Sequence, residues 1–185
     1  LAADNPALQY IVVSDGVHHA VFEKGHTNGM LKQTFGGSVW GADFTEYVPV
    51  IAFANSLQGD VTAAFQEAAK MASKLKLGVE FPQDAAYTIS DNVFIANGIS
   101  YLNGNNVVLT AENMAAGTNI FRLMRGTGDI EISNFTLDLN DQAGVAGIVA
   151  SNPQNVNIHD MHFVNVAFRA INMYTSTGDI KNVVI

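Results

Sequence analysis

Asn106-Val107-Val108-Leu109, Asp129-Ile130-Glu131-Ile132, Asn155-Val156-Asn157-Ile158 and Asn182-Val183-Val184-Ile185 are four copies of one phrase, an amide or carboxylate residue followed by apolar, variable and apolar positions. Their starts differ by 23, 26 and 27 residues. Alternation over four residues suits a β-strand, whose side chains switch faces with a period of two. Strands that return every ~25 residues leave too little room for a crossover helix, and predict a solenoid in which each turn stacks on the last around a shared core. The leading Asn106, Asp129, Asn155 and Asn182 are then expected one above another, in a column whose amides satisfy turn groups. Asp129, unable to donate when ionised, should interrupt it. The alternative is an ordinary β-sandwich with Asn and Asp in its turns.

The chain has 185 residues, 48% of them hydrophobic, enough for one sizeable core and an appendage. Only 14% are charged and the net charge is −8, which argues against a non-specific binder of nucleic acid or anionic membrane. Without cysteine there are no disulfides or thiolate metal sites. No apolar run reaches the ~18 residues of a membrane span, so membrane insertion is not expected. Because Ile185 is the last apolar position of the fourth copy, the sequence reads as the N-terminal part of a longer protein.

Ahead of the repeats, residues 1–55 read as a β-rich lead-in and 56–185 as a capping helix with the first rungs of the solenoid. Tyr10 to Val13, Ser14-Asp15-Gly16 and Val17 to Phe22 predict a hairpin on an Asp-Gly turn. His18 and His19 point to opposite faces of a strand, so with His26 they make no metal site. Pro49 confines any strand there to an edge. Asp60 is expected as the N-cap of a helix whose apolar stripe is Val61, Ala64, Phe65, Ala68, Met71, Ala72 and Leu75, with Gly78 ending it. Short strands at Val79–Phe81, Tyr87–Ile89 and Val93–Ile95 follow, and the helix should cover their open end.

Gly59-Asp60-Val61-Thr62-Ala63-Ala64-Phe65-Gln66-Glu67-Ala68-Ala69, then Val79-Glu80-Phe81-Pro82 and Tyr87-Thr88-Ile89, resembles the opening of the pectate-lyase-like right-handed parallel β-helix proteins. Ser133-Asn134-Phe135-Thr136-Leu137-Asp138-Leu139-Asn140 is similar to a phrase of their early rungs. The usual glycine after the first-turn proline is replaced, with Asp84 in its place, and the paired Asp before the helix is reduced to Gly59-Asp60. A hairpin region ahead of the helix is similar to phage tailspikes. The resemblance implies an all-β solenoid, a right-handed single-stranded parallel β-helix with an N-terminal capping α-helix. It further implies a homotrimer on a virion surface or outside the cell, binding and degrading polysaccharide as glycosidase or lyase. No cofactor is expected, except calcium if the protein is a lyase. Non-catalytic glycan binding and a uronan C5-epimerase are the alternatives.

Glycoside hydrolysis needs two carboxyl groups about 5–9.5 Å apart, and elimination at a uronate needs a base and a cation. Asp138, Asp141 and Asp160 are the candidate catalytic carboxylates among Asp129, Glu131 and Asp179. Asp138, Asn140 and Asp141 form the densest acidic cluster, with a rung corner as its competing role. Arg122, Arg169 and Asn140 are the candidate substrate-binding residues; the two arginines, 47 residues apart, are expected in one column two turns apart. His159 and His162 should flank a strand bend and face solvent, Gly126-Thr127-Gly128 should be a turn, and Asn134-Phe135-Thr136 matches a glycosylation sequon. In the family the catalytic groups lie in middle rungs, which would follow Ile185.

Overall fold

The computed structural model describes residues 10–14, 19–27, 29–35, 38–53, 59–152, 154–174 and 177–185. The first four strands, β1 (Tyr10–Ser14), β2 (His19–Lys24), β3 (Leu31–Phe35) and β4 (Ser38–Ala42), form an antiparallel sheet in the order β1-β2-β4-β3. Ser14 faces His19, so β1 and β2 make the expected hairpin, although the Asp15-Gly16 turn and His18 lie outside the described residues. Ala20, Phe22, Leu31 and Ala42 turn inward and are buried. β5 (Tyr47–Pro49) leaves this sheet and pairs in parallel with β6 (Gly78–Glu80). It is the terminal strand of its sheet, the position where the missing N–H of Pro49 is tolerated.

From β6 onward every strand pair is parallel, and the chain winds as a β-solenoid of about four turns. β7 (Ala86–Ile89), β9 (Tyr101–Ala111), β11 (Gly128–Asp138), β13 (Gln154–Val164) and β15 (Ile180–Val184) build one sheet with β5 and β6. β8 (Val93–Ile95), β10 (Asn119–Leu123), β12 (Ala146–Ser151) and β14 (Arg169–Tyr174) build the other, in the order β14-β12-β10-β8. The core lies between them. Ile132, for example, sits between Leu102 and Ile158, and all three are fully buried.

The four quartets lie on parallel strands, as their spacing requires, but their polar leaders occupy two columns rather than one. Register places Asn134 opposite Asp160, and Asp160 opposite Asn182. With Asp84 and Asn106 these residues all have left-handed backbone, φ 50 to 65°. Asn and Asp accept that region more readily than other residues with a Cβ, and here it bends each long strand at mid-length. The side chains link adjacent turns: Asn106 Nδ2 donates to Asp84 Oδ1 at 3.3 Å, Asn134 Nδ2 to Asn103 Oδ1 at 3.0 Å and Asn182 Nδ2 to Asp160 Oδ1 at 3.1 Å. Asp129 and Asn155 form a separate column at the start of β11 and β13, where Asn155 Nδ2 donates to Asp129 Oδ1 at 2.8 Å. Both corners demand a left-handed polar residue followed by an inward apolar one. The same phrase therefore occurs twice per turn, and the spacing of 23 residues from Asn106 to Asp129 compares unlike corners. Gly104 lies where β9 and β11 shift register; a Cβ there would collide with the Asn134 carbonyl and the Phe135 ring.

α1 (Thr62–Leu75) buries Ala64, Phe65, Ala68, Ala69 and Ala72, the centre of the expected stripe. Two details differ from the sequence reading. Val61 is the N-cap residue and Asp60 precedes it, its carboxylate accepting from Thr62 N at 2.8 Å and Ser90 Oγ at 2.5 Å. Burial opposes ionisation of Asp60, but these hydroxyl and amide donors outweigh it and hold the carboxyl below its usual value. The helix ends at Lys76 in left-handed conformation (φ 60°), so Gly78 serves instead as the first residue of β6, where its missing Cβ admits the Tyr101 ring. Phe65 packs edge-to-face on Phe81 (4.7 Å) and Phe121 (5.5 Å), and Phe135 closes the ring of four against the same two. No helix among the described residues is long and apolar enough to cross a membrane.

Candidate functional site

Residues of successive strands in the shorter sheet stack in straight columns. Register runs Phe94–Arg122–Val149–Asn172 in one column and Asn119–Ala146–Arg169 beside it. At ~4.8 Å between strands, the path from Phe94 to Asn172 is roughly 14 Å long. The small side chain of Ala146, flanked by Gly117 and Gly144, leaves a shallow cavity of about 230 Å³ whose walls include Asn119, Arg122, Phe168, Asn172 and Tyr174. Phe168 is 50% exposed and Tyr174 51%.

Asn119 is only 3% exposed, and its Oδ1 accepts no hydrogen bond among the described residues. An unmatched buried acceptor costs free energy, about 1–3 kcal/mol. Tyr174 is tied to this wall: its oxygen accepts from Asn172 Nδ2 at 2.9 Å and from Arg169 Nη1 at 3.3 Å. Those two donors, Asn172 first, lower the Tyr174 phenol from its ordinary value. The Arg169 guanidinium also lies over the Phe168 ring, 4.6 Å from its centroid.

The two arginines do not share a column. Two turns above Arg122 stands Asn172, three positions beyond Arg169, because the turns are longer here than the spacing assumed. Arg122 nevertheless lines the cavity together with Phe168 and Tyr174, and Arg169 contacts both of those residues. Asn119, Phe168, Asn172 and Tyr174 escaped the sequence reading. Gly117-Thr118-Asn119 looks like turn chemistry, and only the alternation Asn172-Met173-Tyr174 hinted at a shared polar face.

The carboxylates lie on the other sheet. Asp138 accepts from Asn140 N and from Asn165 Nδ2, both at 2.9 Å, while Asn140 Nδ2 reaches the Ala111 carbonyl at 3.3 Å. Asn140 and Asp141 both have φ 50° and Asp141 N donates to Asn165 O at 2.9 Å, so the trio forms a rung corner. Asp160 is in the mid-strand bend, four strand positions before Val164, the residue opposite Asp138. His159 bridges Asp160 (Nδ1 to Oδ2, 2.7 Å) and Glu131 (Nε2 to Oε1, 3.3 Å). The Asp160 bond raises the His159 imidazole above its ordinary value, partial burial opposes this, and Glu131 adds to the rise. The Asp138 and Asp160 carboxylates are thus engaged in corner and bend contacts four strand positions apart, and Asp141 joins the corner through its backbone N–H. Gly126 lies in a turn as expected, and Thr127, buried, donates from Oγ1 to the Ile95 carbonyl at 3.0 Å. Among the described residues no group of three or more His, Cys, Asp or Glu is placed to hold a metal ion.

No family model and no curated protein matches the chain. A solved chain described as "Geobacillus virus E2 - ORF18" is similar in fold, with a TM-score of 0.56 and 15% sequence identity over 77% of this chain and 32% of that one. The present chain therefore spans about a third of that structure's length. The likeness is one of fold alone; the register above makes the protein a parallel β-solenoid.

Proposed function

We propose that this chain is the opening portion of a polysaccharide-binding and polysaccharide-degrading β-helix protein of the tailspike kind, carried at a virion surface. The observation that carries the reading is the cavity beside Ala146 on the outer side of a parallel sheet, lined by Asn119, Arg122, Asn172 and the two exposed aromatic residues Phe168 and Tyr174. Sugars suit such a wall: their hydroxyls pair with its polar side chains and their apolar ring faces stack on its aromatics. The pectate-lyase-like phrases and the antiparallel sheet ahead of the helix support a tailspike-like ancestry, in which the assembly is a homotrimer. The neighbour's description as a viral protein supports a virion setting.

A second reading, binding without cleavage by these residues, is favoured by the commitment of Asp138 and Asp160 to corner contacts. Capsular and O-antigen polysaccharides presented to the chain should bind, and Tyr174→Ala or Phe168→Ala should abolish that binding. The full-length product, assayed for new reducing ends and for the absorbance of unsaturated uronates, distinguishes cleavage from binding alone. Failure to bind any polysaccharide would sink both readings.

A further inference from the structure

We propose that Asn97-Gly98 is a site of spontaneous deamidation, and that its isoaspartyl product loosens the helical cap. Asn-Gly pairs are open to this reaction because the second residue has no Cβ to obstruct the approach of its nitrogen to the asparagine side chain. The chain has three such pairs, Asn28-Gly29, Asn97-Gly98 and Asn103-Gly104. Asn28 lies outside the described residues. The other two occupy opposite settings. Asn97 is an exposed turn residue whose side chain makes no hydrogen bond among the described residues, and the Gly98 N–H donates to no acceptor among them. Asn103 is half-buried within β9, and both ends of its amide are held. Its Nδ2 donates to Glu80 Oε2 at 3.1 Å and Asn105 Oδ1 at 2.9 Å, while its Oδ1 accepts from Asn105 N at 3.1 Å and Asn134 Nδ2 at 3.0 Å. Gly104 is buried beside the Asn134 carbonyl and the Phe135 ring.

In the reaction the Gly98 nitrogen attacks Asn97 Cγ. A new C–N bond forms, and the side-chain nitrogen leaves as ammonia, carrying off the proton lost from Gly98 N. Water then opens the resulting succinimide at one carbonyl or the other. One opening gives aspartate on an unchanged backbone. The other gives isoaspartate, in which the main chain runs through the former side chain and gains one carbon. The turn has little slack for it. Ile95 before it and Ile99 after it are buried in the core. Ser73 Oγ, in the last turn of α1, donates to the Asn97 carbonyl at 2.6 Å, and a Cβ on Gly98 would already stand 2.8 Å from the Ser73 carbonyl. Just beyond, Ser100 N donates to the Leu77 carbonyl at 3.2 Å. An added carbon between such anchors pushes the turn away from the end of the helix.

Ageing the 185-residue chain in mildly alkaline buffer, followed by peptide mapping with mass spectrometry, tests the inference. Conversion of amide to acid at Asn97 should outrun that at Asn103 by about tenfold or more, because a residue held inside a sheet must wait for local opening. In urea the two sites should react at similar rates, both being Asn-Gly. Asn97→Gln should suppress the conversion and leave the unfolding midpoint unchanged, since the side chain holds nothing. The isoaspartyl form, identified by isoaspartyl methyltransferase labelling and separated by ion exchange, should unfold at a lower temperature than Asn97→Asp, which carries the same charge on a chain of ordinary length. Conversion at Asn103 as fast as at Asn97 in the folded chain overturns the site. A rate gap of the same size in urea does so too, since folding would then play no part. An isoaspartyl form as stable as Asn97→Asp overturns the loosening of the cap.

Discussion

Gln66 pairs with Phe94 as a neighbouring strand would: Phe94 N donates to Gln66 Oε1 at 2.8 Å, and Gln66 Nε2 donates back to the Phe94 carbonyl at 3.2 Å. Phe94 is the central residue of β8, the end strand of the shorter sheet. Thr62 and Ser73 extend the arrangement, accepting from Ser90 N at 2.9 Å and donating to the Asn97 carbonyl at 2.6 Å. The helix thus closes the stack in two ways, with an apolar face over the core and a polar row along an edge that would otherwise invite pairing by another chain.

Replacing that amide should expose both functions. Gln66→Leu is expected to cost about 1–3 kcal/mol, because both Phe94 backbone groups lose their partners on the protein. Denaturant unfolding measures the loss, and light scattering should show self-association that Gln66→Ala shares. A variant as stable as the parent, and of the same size by light scattering, would show that the pairing contributes nothing.

The phenylalanine ring of four should be the most sensitive part of the core. Phe65 is fully buried and touches two of the others, so Phe65→Ala is expected to destabilise by about 3–5 kcal/mol, whereas Phe65→Leu should cost markedly less. Thermal or chemical denaturation of the pair reads the difference.

At the mid-strand bend, Asn134→Gly should be better tolerated than Asn134→Val. Glycine keeps the left-handed backbone and loses the bonds to Asn103 and to Ser133 Oγ, while a β-branched residue loses these and also meets a conformational cost of about 1–3 kcal/mol. Equal stability of the two variants would contradict the backbone account of the repeat.

His159 and its carboxylates give a pH signature. The imidazole is raised in the folded state from 6.5, so its contribution is fully present below about that value and is lost as pH rises through the folded value. The Asp160 carboxyl is lowered from 3.8, first by His159 and then by Asn182, so its contribution is present above that value and is lost as pH falls through the folded one. The parent should therefore exceed His159→Gln in stability between those limits and converge with it on the alkaline side. NMR titration of the His159 ring protons locates the alkaline limit; an ordinary or lowered value there would refute the bridge.

The solenoid and its cap were legible because both are written locally. Alternation of two announces the strands, and the three-and-four spacing from Val61 to Leu75 announces the helix. The register was not, since Asn106 and Asp129 open look-alike phrases at different corners, and only pairing tells the corners apart. The binding face was legible in part. Arg122 and Arg169 stand out as cations in an acidic chain, but Asn119 acquires its meaning from burial, which depends on Ala146 one turn above. The acidic trio at Asp138 drew the eye because corners and active sites both favour Asp and Asn.

β5 gives the molecule a mechanical property. Tyr47, Val48 and Pro49 run alongside Gly78, Val79 and Glu80 in the same direction, and the chain enters β5 from the antiparallel sheet. Tension applied through the leading sheet and resisted by the coils acts lengthwise on that ladder, loading its bonds together instead of unzipping them one at a time. A pull on the leading sheet would meet this shear-loaded ladder before it reached the coils.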